Sequence, residues 1–283
     1  MASVTVVGSV NLDLVMHVPR LPVAGETVTD GKFSRHPGGK GANQALAARR
    51  LGATVSLVAA VGDDEIAEAA LALVEEAGVD LSRCWMHETL PTGVAVILVD
   101  SHGENQIAVA PGANRSLTAD ALEVGSDDAI MCQLEIPMET VQAAAASTTG
   151  FFCLNAAPAR KVPKEVLKRA DLVVVNEVEH ATLGVDLSEV RGLVALTLGR
   201  AGATLYRHGR AVAKATPPRV DVVDAVGAGD CFVAALTVGL LEGLPPELAL
   251  QRAVVAGALA TTIEGAQASM PTRAAVDDML ARI

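Results

Sequence analysis

The chain reads as an α/β fold: a doubly wound, mostly parallel sheet flanked by helices, with a small inserted β-sheet lid. Three observations predict it. Short β-branched runs recur, each closing on glycine or polar residues with a helical stretch next, the pattern of an open α/β sheet. Two glycine-rich turns, Gly38–Asn43 and Gly227–Asp230, each open a helix. Between them lie stretches broken by Pro19, Pro22 and Gly25, and by Asp100–Glu104, that read as short strands and turns.

Composition bounds the function. The 283 residues suffice for one large α/β domain or two small ones. At 51% hydrophobic but 2% aromatic, the core is large and built of Ala, Val and Leu, and the scarcity of aromatics argues against base-stacking platforms for nucleic acid. The net charge of −11 argues against nucleic acid and anionic membranes as partners. It leaves a small phosphorylated substrate open, because one local turn can bind that. Cys84, Cys132, Cys153 and Cys231 form no Cys-x-x-Cys pair, so they read as reduced core cysteines of a cytoplasmic protein. No basic leader precedes the first strand, and Glu242 and Gly243 end the longest apolar run short of membrane-spanning length.

In order, Val4–Val7 is a buried strand closed by Gly8-Ser9. Asn11 and Asp13 follow at its end, where open sheets take ligands and a polyol would find partners; simple turn chemistry also explains them. His36 to Ala45 is a glycine-rich turn running into a helix over Ala42–Leu51. Lys40 is followed by Gly41, so it is no P-loop. A lysine, an asparagine and free helix N–H groups still converge there, which favours a binding role over the alternative of a solvent-facing lysine on a helix-opening turn.

Thr54–Val61 is a strand and Ile66–Ala77 an amphipathic helix ended by Gly78. Asp63 and Asp64 read as helix N-terminal charge rather than a metal site. Thr92–Val99 and Gln106–Ala110 are strands. Residues 14–36 and 91–110 together make the lid, which would exclude water from a reacting centre. Ala129–Leu134 is a strand that places Glu135 at its end, and Met138–Ser147 is a helix. Strands at Phe151–Leu154, Leu172–Val175 and Leu193–Leu198 lead into Asn155–Pro158, Asn176–Glu179 and Gly199–Gly202.

Val222-Val223 reads as a strand end before Gly227, Ala228 and Gly229, and an almost wholly apolar helix follows. Small residues and unpaired helix N–H groups suit an anion. Asp230 would repel a phosphate, so it suits a base taking the proton of an attacking hydroxyl. It also suits a simple helix cap. The C-terminal helix, Leu248–Thr262, precedes an irregular loop, Gly265–Pro271, whose carbonyls could ligate a cation; spacing alone makes no such site.

Gly38–Asn43 (Gly-Gly-Lys-Gly-Ala-Asn) and Asp224–Asp230 (Asp-x-x-Gly-Ala-Gly-Asp) resemble the two signatures of the ribokinase family of carbohydrate kinases. Asn11-Leu12-Asp13, Gln133-Leu134-Glu135, Asn176–Glu179 and Gly265-Ala266-Gln267 resemble it too. The resemblance covers essentially the whole chain. It implies transfer of the ATP γ-phosphoryl group to a sugar hydroxyl, with D-ribose to ribose 5-phosphate the leading reaction. It implies Asp230 as base and Gly227, Ala228 and Gly229 as anion hole. It places Asn11, Asp13, Gly39, Lys40, Gly41, Ala42, Asn43 and Glu135 at the sugar. It places Asn176, Thr197, Leu198, Gly199 and Gly202 at ATP. Glu179 would serve Mg²⁺ through water, and Asp224, Val226, Ala260, Ile263, Gly265 and Ser269 would surround K⁺. The lid resembles the family's β-clasp and implies a homodimer.

Two features depart from that pattern. The Gly184–Gly192 stretch is short, as if a helix before the next strand were missing or reduced to a turn. Val254 stands where the family often has a polar side chain near the adenine. Both bear on nucleotide binding. Competing readings are a kinase for another sugar or a nucleoside, and a non-catalytic sugar-binding protein, which would have no use for Asp230. A dinucleotide oxidoreductase fits poorly, since neither turn completes Gly-x-Gly-x-x-Gly after the first strand.

Overall fold

The computed structural model describes residues 2–122, 124, 129–183 and 187–283. The first part of the chain carries β1 (Ser3–Val7), β2 (Asn11–His17), β3 (Lys32–Gly38), α1 (Lys40–Arg50), β4 (Thr54–Gly62), α2 (Glu65–Glu76), β5 (Asp80–His87), β6 (Gly93–Val99) and β7 (Asn105–Ala110). Then come β8 (Ile130–Cys132), α3 (Met138–Ser147), β9 (Phe152–Asn155), α4 (Lys164–Arg169), β10 (Leu172–Asn176), α5 (Glu177–Leu183) and β11 (Leu193–Thr197). The chain ends with β12 (Ala203–Arg207), β13 (Arg210–Ala215), α6 (Ala228–Leu241), α7 (Pro246–Leu259) and α8 (Arg273–Leu280).

Among the described residues, nine strands form the main sheet in the order β13-β12-β11-β10-β9-β8-β1-β4-β5. From β11 to β5 all neighbours are parallel, and β12 and β13 add antiparallel. Helices cover both faces, so Val4 to Val7 are all buried. Val4 and Val6 enter the layer of α1, α2, α6 and α7; Val7 enters the layer of α3 and α4. The strand order runs one way from β1 to β5 and the other way from β8 to β11. The reversal between β1 and β8 opens a crevice at their carboxyl ends.

The core is made of small side chains. Ala42, Ala45, Ala47 and Ala48 of α1 are fully buried, which lets helix backbones approach closely. Each fully buried Val or Leu adds roughly 1.5–3 kcal/mol over exposure, so stability is spread over many such residues. Cys132, Cys153 and Cys231 are buried and Cys84 is half-buried; all four are free. Burial pushes the Cys84 and Cys153 thiols up to about 12. Among the described residues no helix is long and apolar enough to cross a membrane.

The small sheet is ordered β3-β2-β6-β7, with β2 parallel to β6 and antiparallel to β3. It starts before residue 14 and runs past residue 36. Asn11 and Asp13 therefore sit within β2, not in a turn after β1, and Asp13 lies opposite His36. Other expectations also shift. Val222 and Val223 form no strand and are exposed; Pro217 and Pro218 just before them lack the N–H a ladder needs. A hairpin, β12–β13, follows β11 where a helix was expected. β5 and α8 lie in stretches the pattern left unread. Asp64 does cap α2, accepting from the Ala67 N–H.

Candidate active site

The two glycine turns are the N-termini of α1 and α6, which pack side by side. Gly39 opens α1 with φ 85°, and a Cβ there would lie 2.6 Å from the Asn11 nitrogen. Glycine alone meets both demands. The cap of α1 comes from the ends of β1 and β8. Glu135 Oε2 accepts from the Lys40 N–H at 3.1 Å and from Ser9 Oγ at 2.5 Å. Ser9 Oγ accepts from the Gly41 N–H at 3.3 Å, and the Ser9 carbonyl takes the Ala42 N–H at 2.9 Å. A carboxylate here also meets the positive end of the helix dipole. The first N–H groups of α1 are thus satisfied inside the protein.

α6 starts differently. Gly227 has φ 80°, and a Cβ there would lie 2.8 Å from Ala266 Cα. The Ala228 N–H turns back to the Ala225 carbonyl at 3.3 Å, and the regular ladder begins with Cys231 on the Gly227 carbonyl. Among the described residues, no backbone carbonyl takes the Gly229 or Asp230 N–H. Gly229 is exposed, and a Cβ built on it would meet nothing within 4 Å. Open N–H groups at the positive end of a 14-residue helix suit an anion.

Asp230 joins the two turns across 187 residues. Its Oδ2 accepts from Asn43 Nδ2 at 2.9 Å, and its Oδ1 from Gln44 Nε2 at 2.9 Å. Gln44 Oε1 in turn accepts from Gln133 Nε2 at 2.7 Å. Around this core gather Asp13, Lys40, Glu135 and Glu179. The Asp230 carboxylate, with Glu135, Glu179 and Asp13, raises the Lys40 ammonium above its usual range despite burial. Burial, Glu135 and Asp230 push the Asp13 carboxyl up to about 7, against the pull of Lys40. Burial also raises Glu179. Asn11 Oδ1 accepts from Asn114 Nδ2 at 2.8 Å, and Asn114 also bonds both backbone groups of Val10. A cleft of about 760 Å³ opens beside Lys40 and Glu135, with Ile107, Val109, Arg115 and Arg160 on its walls.

Asn176 and Thr197 are register partners at the carboxyl ends of β10 and β11. Asn176 Oδ1 accepts from the Glu179 N–H, and Glu179 Oε2 from the Asn176 N–H, both at 2.8 Å. This is a reciprocal cap on α5. Leu198 donates its N–H to the Gly202 carbonyl around a 3-10 turn, Gly199–Ala201. Val254 is buried in the helix layer. Of the short Gly184–Gly192 stretch, residues 184–186 lie outside the described residues; a 3-10 turn follows at Leu187–Glu189.

Asp224 accepts from the Val226 N–H at 3.0 Å and the Gly265 N–H at 2.9 Å. Its own N–H goes to the Thr261 carbonyl, and Ser269 closes onto Gly265 and Ala266. The structure thus brings Asp224, Val226, Gly265 and Ser269 together; Ala260 ends α7 beside them, and Ile263 is exposed. Among the described residues, no group of three or more His, Cys, Asp or Glu could hold a metal ion. Any cation here would meet one carboxylate and backbone carbonyls.

Residues 1–273 match the pfkB family of carbohydrate kinases. The chain belongs to that family. It is 37% identical to the ribokinase of Bacillus subtilis (strain 168), over 99% of this chain and 100% of that one. Among solved structures, the ribokinase of Thermotoga maritima superposes with a TM-score of 0.90 at 30% identity, covering 99% of this chain and 100% of the other. Arabidopsis thaliana ribokinase complexed with ribose and ATP gives 0.82 at 30% identity, with 99% of each chain covered.

Sequence reasoning gave no site role to four polar residues of this carbohydrate kinase: Ser9, Gln44, Asn114 and Gln133. Each is buried. The signal was present, since a buried polar side chain needs partners, and Gln44 and Gln133 adjoin residues already singled out.

Proposed function

We propose that this carbohydrate kinase transfers the γ-phosphoryl group of ATP to D-ribose, giving ribose 5-phosphate and ADP. One observation carries the reading: Asp230, gripped by Asn43 and Gln44, starts the helix whose Gly229 and Asp230 N–H groups are open. A base and an anion cradle share one helical turn. The B. subtilis relative is a ribokinase, and the A. thaliana neighbour is complexed with ribose and ATP; both support the substrates. In the proposed step the sugar hydroxyl oxygen bonds to the γ-phosphorus. The bond from that phosphorus to the β–γ bridging oxygen breaks, ADP leaves with its electron pair, and the hydroxyl proton passes to Asp230. Gly227, Ala228 and Gly229 face the transferring charge. Ala228 contributes least, because its N–H is already turned inward.

Asn11, Asp13, Lys40, Asn43 and Glu135 hold the sugar in this reading. Asn43 Oδ1 is buried with no partner, an acceptor suited to a sugar hydroxyl. Gly39, Gly41 and Ala42 shape the pocket by close packing. Asn176, Thr197, Leu198, Gly199 and Gly202 border the nucleotide. Glu179 would meet Mg²⁺ through water; its burial beside Asp230 favours a cation nearby. Asp224, Val226, Ala260, Ile263, Gly265 and Ser269 would hold K⁺, since a carboxylate and carbonyls are hard oxygen donors. When bound, such cations supply charge neutralisation at the phosphates and rigidity at Gly227. The exposed apolar side chains Phe33, Val96, Ile107 and Val109 on the small sheet support a homodimer through the lid. Four free cysteines fit the cytoplasm.

The test is ATP turnover with Mg²⁺ on a panel of sugars and nucleosides, in K⁺ or Na⁺. Turnover on ribose, raised by K⁺, supports the reading. Turnover on another sugar alone keeps the mechanism and reassigns the pocket. No turnover with any of them overturns it.

A further inference from the structure

We infer that Gln44 and Gln133 are positioning residues for the proposed base, acting as a two-amide chain that fixes the Asp230 carboxylate. The inference rests on the kinase reading above. The chain has one consistent polarity. An ionised carboxylate only accepts hydrogen bonds, so Gln44 must turn Nε2 to Asp230 Oδ1. That leaves Gln44 Oε1 facing away, and Gln133 Nε2 donates to it at 2.7 Å. Flipping Gln44 would set its oxygen against a carboxylate oxygen. Gln133 therefore locks the Gln44 amide, and Gln44 locks the base.

The arrangement is not packing by default. Gln44 and Gln133 are both fully buried, and Gln133 Oε1 has no hydrogen-bond partner. A buried polar atom left unpaired is costly, so an apolar side chain would serve a purely structural role better. Space is kept for this amide as well: a Cβ on Gly8 would lie 2.0 Å from Gln133 Oε1. Asn43 holds the other carboxylate oxygen, so both oxygens have fixed donors before sugar arrives. A carboxylate has about four lone-pair sites, which leaves Oδ2 able to take the hydroxyl proton.

The experiment is a double-mutant cycle on ribose turnover with Gln44→Met, Gln133→Met and both together, with melting curves for each. Gln44→Met is expected to lower kcat about ten- to a hundredfold with the ribose KM within about threefold, the scale of a hydrogen bond to a charged group. Gln133→Met is expected to lower kcat about three- to tenfold, because it only frees the amide to flip. If Gln133 acts through Gln44, the double variant equals Gln44→Met alone. Losses that multiply, an unchanged kcat in Gln44→Met, or a KM that rises as far as kcat falls would each overturn the inference. Gln133→Leu replaces Gln133→Met if the latter does not fold. Wild-type turnover is the control: without it the kinase reading fails, and with it only the positioning role is at stake.

Discussion

The proposed sugar end and nucleotide end of the site are built by different means. At the sugar end Asn11, Asp13, Asn43 and Asp230 are 4–7% exposed and held by side chains of α1, β2 and their neighbours. At the nucleotide end Asn176, Gly199, Val226 and Gly229 are exposed, and most of what they offer is backbone. The N-termini of α1 and α6 repeat the contrast. One has its N–H groups satisfied by Glu135 and Ser9; the other leaves them open. A buried, pre-bonded pocket selects a neutral polyol by hydrogen-bond pattern. An open backbone cradle accepts a charged, mobile triphosphate. In the proposed reading, two similar glycine turns in one chain carry opposite functions, decided by what caps them.

The sharpest way to break this comparison is at Asp230, where the two ends meet. Asp230→Asn keeps the side chain's size and removes its ability to take a proton. Turnover is expected to fall about 10²–10⁴-fold, while ATP binding measured by calorimetry persists. Turnover near wild type would remove Asp230 from the base role.

Gly229→Ala probes the open cradle. The new methyl meets no protein atom within 4 Å, and alanine favours a helix over glycine by about 1 kcal/mol. The melting temperature is therefore expected to hold or rise, while turnover falls about tenfold or more as the methyl crowds the phosphate. Unchanged turnover in a stabilised variant would move the anion site elsewhere. The matching change in the closed turn, Gly39→Ala, is expected to destabilise, because it collides with the Asn11 backbone.

Asp13→Asn tests the buried end. The Asp13 carboxyl stands near 7 in the folded chain, against 3.8 as the ordinary value, chiefly through burial. The folded chain thus keeps a proton that the unfolded chain releases at lower pH. Asp13's own contribution to stability is therefore greatest below about 4 and declines as pH rises toward 7. Above that the pocket holds an ionised, poorly solvated carboxylate, suited to accept sugar hydroxyls. Asp13→Asn is expected to raise the melting temperature at pH 8, to leave it unchanged near pH 4, and to raise the ribose KM about tenfold. A melting-temperature difference between variant and wild type that is the same at pH 4 and pH 8 would contradict the burial argument.

The same contrast explains what could be read in the sequence. The main sheet was legible because buried parallel strands are continuous apolar runs, as at Val4–Val7 and Leu172–Val175. β12 and β13 were not, because an edge hairpin such as Arg210–Ala215 is mostly exposed and mixes charge with alanine. Val222-Val223 misled because β-branched residues signal a strand only where a partner strand can reach them. At the site, glycine turns and carboxylates stand out in one dimension. The amides that orient them, Gln44, Asn114 and Gln133, gain meaning only once folding brings positions about ninety to two hundred apart into hydrogen-bond range.

The smallest expected effect separates capping from binding at Asn176. Its side chain caps α5 by accepting from the Glu179 N–H, and Asp is as good a cap as Asn. Asn176→Ala is expected to lower stability by about 1 kcal/mol and to weaken ATP binding. Asn176→Asp is expected to restore the cap and the melting temperature while leaving the ATP KM raised, because a new carboxylate there repels the nucleotide. If Asp restores both, Asn176 serves only the helix. The exposed end would then be backbone alone up to Thr197, and its contrast with the side-chain-built sugar end would be complete.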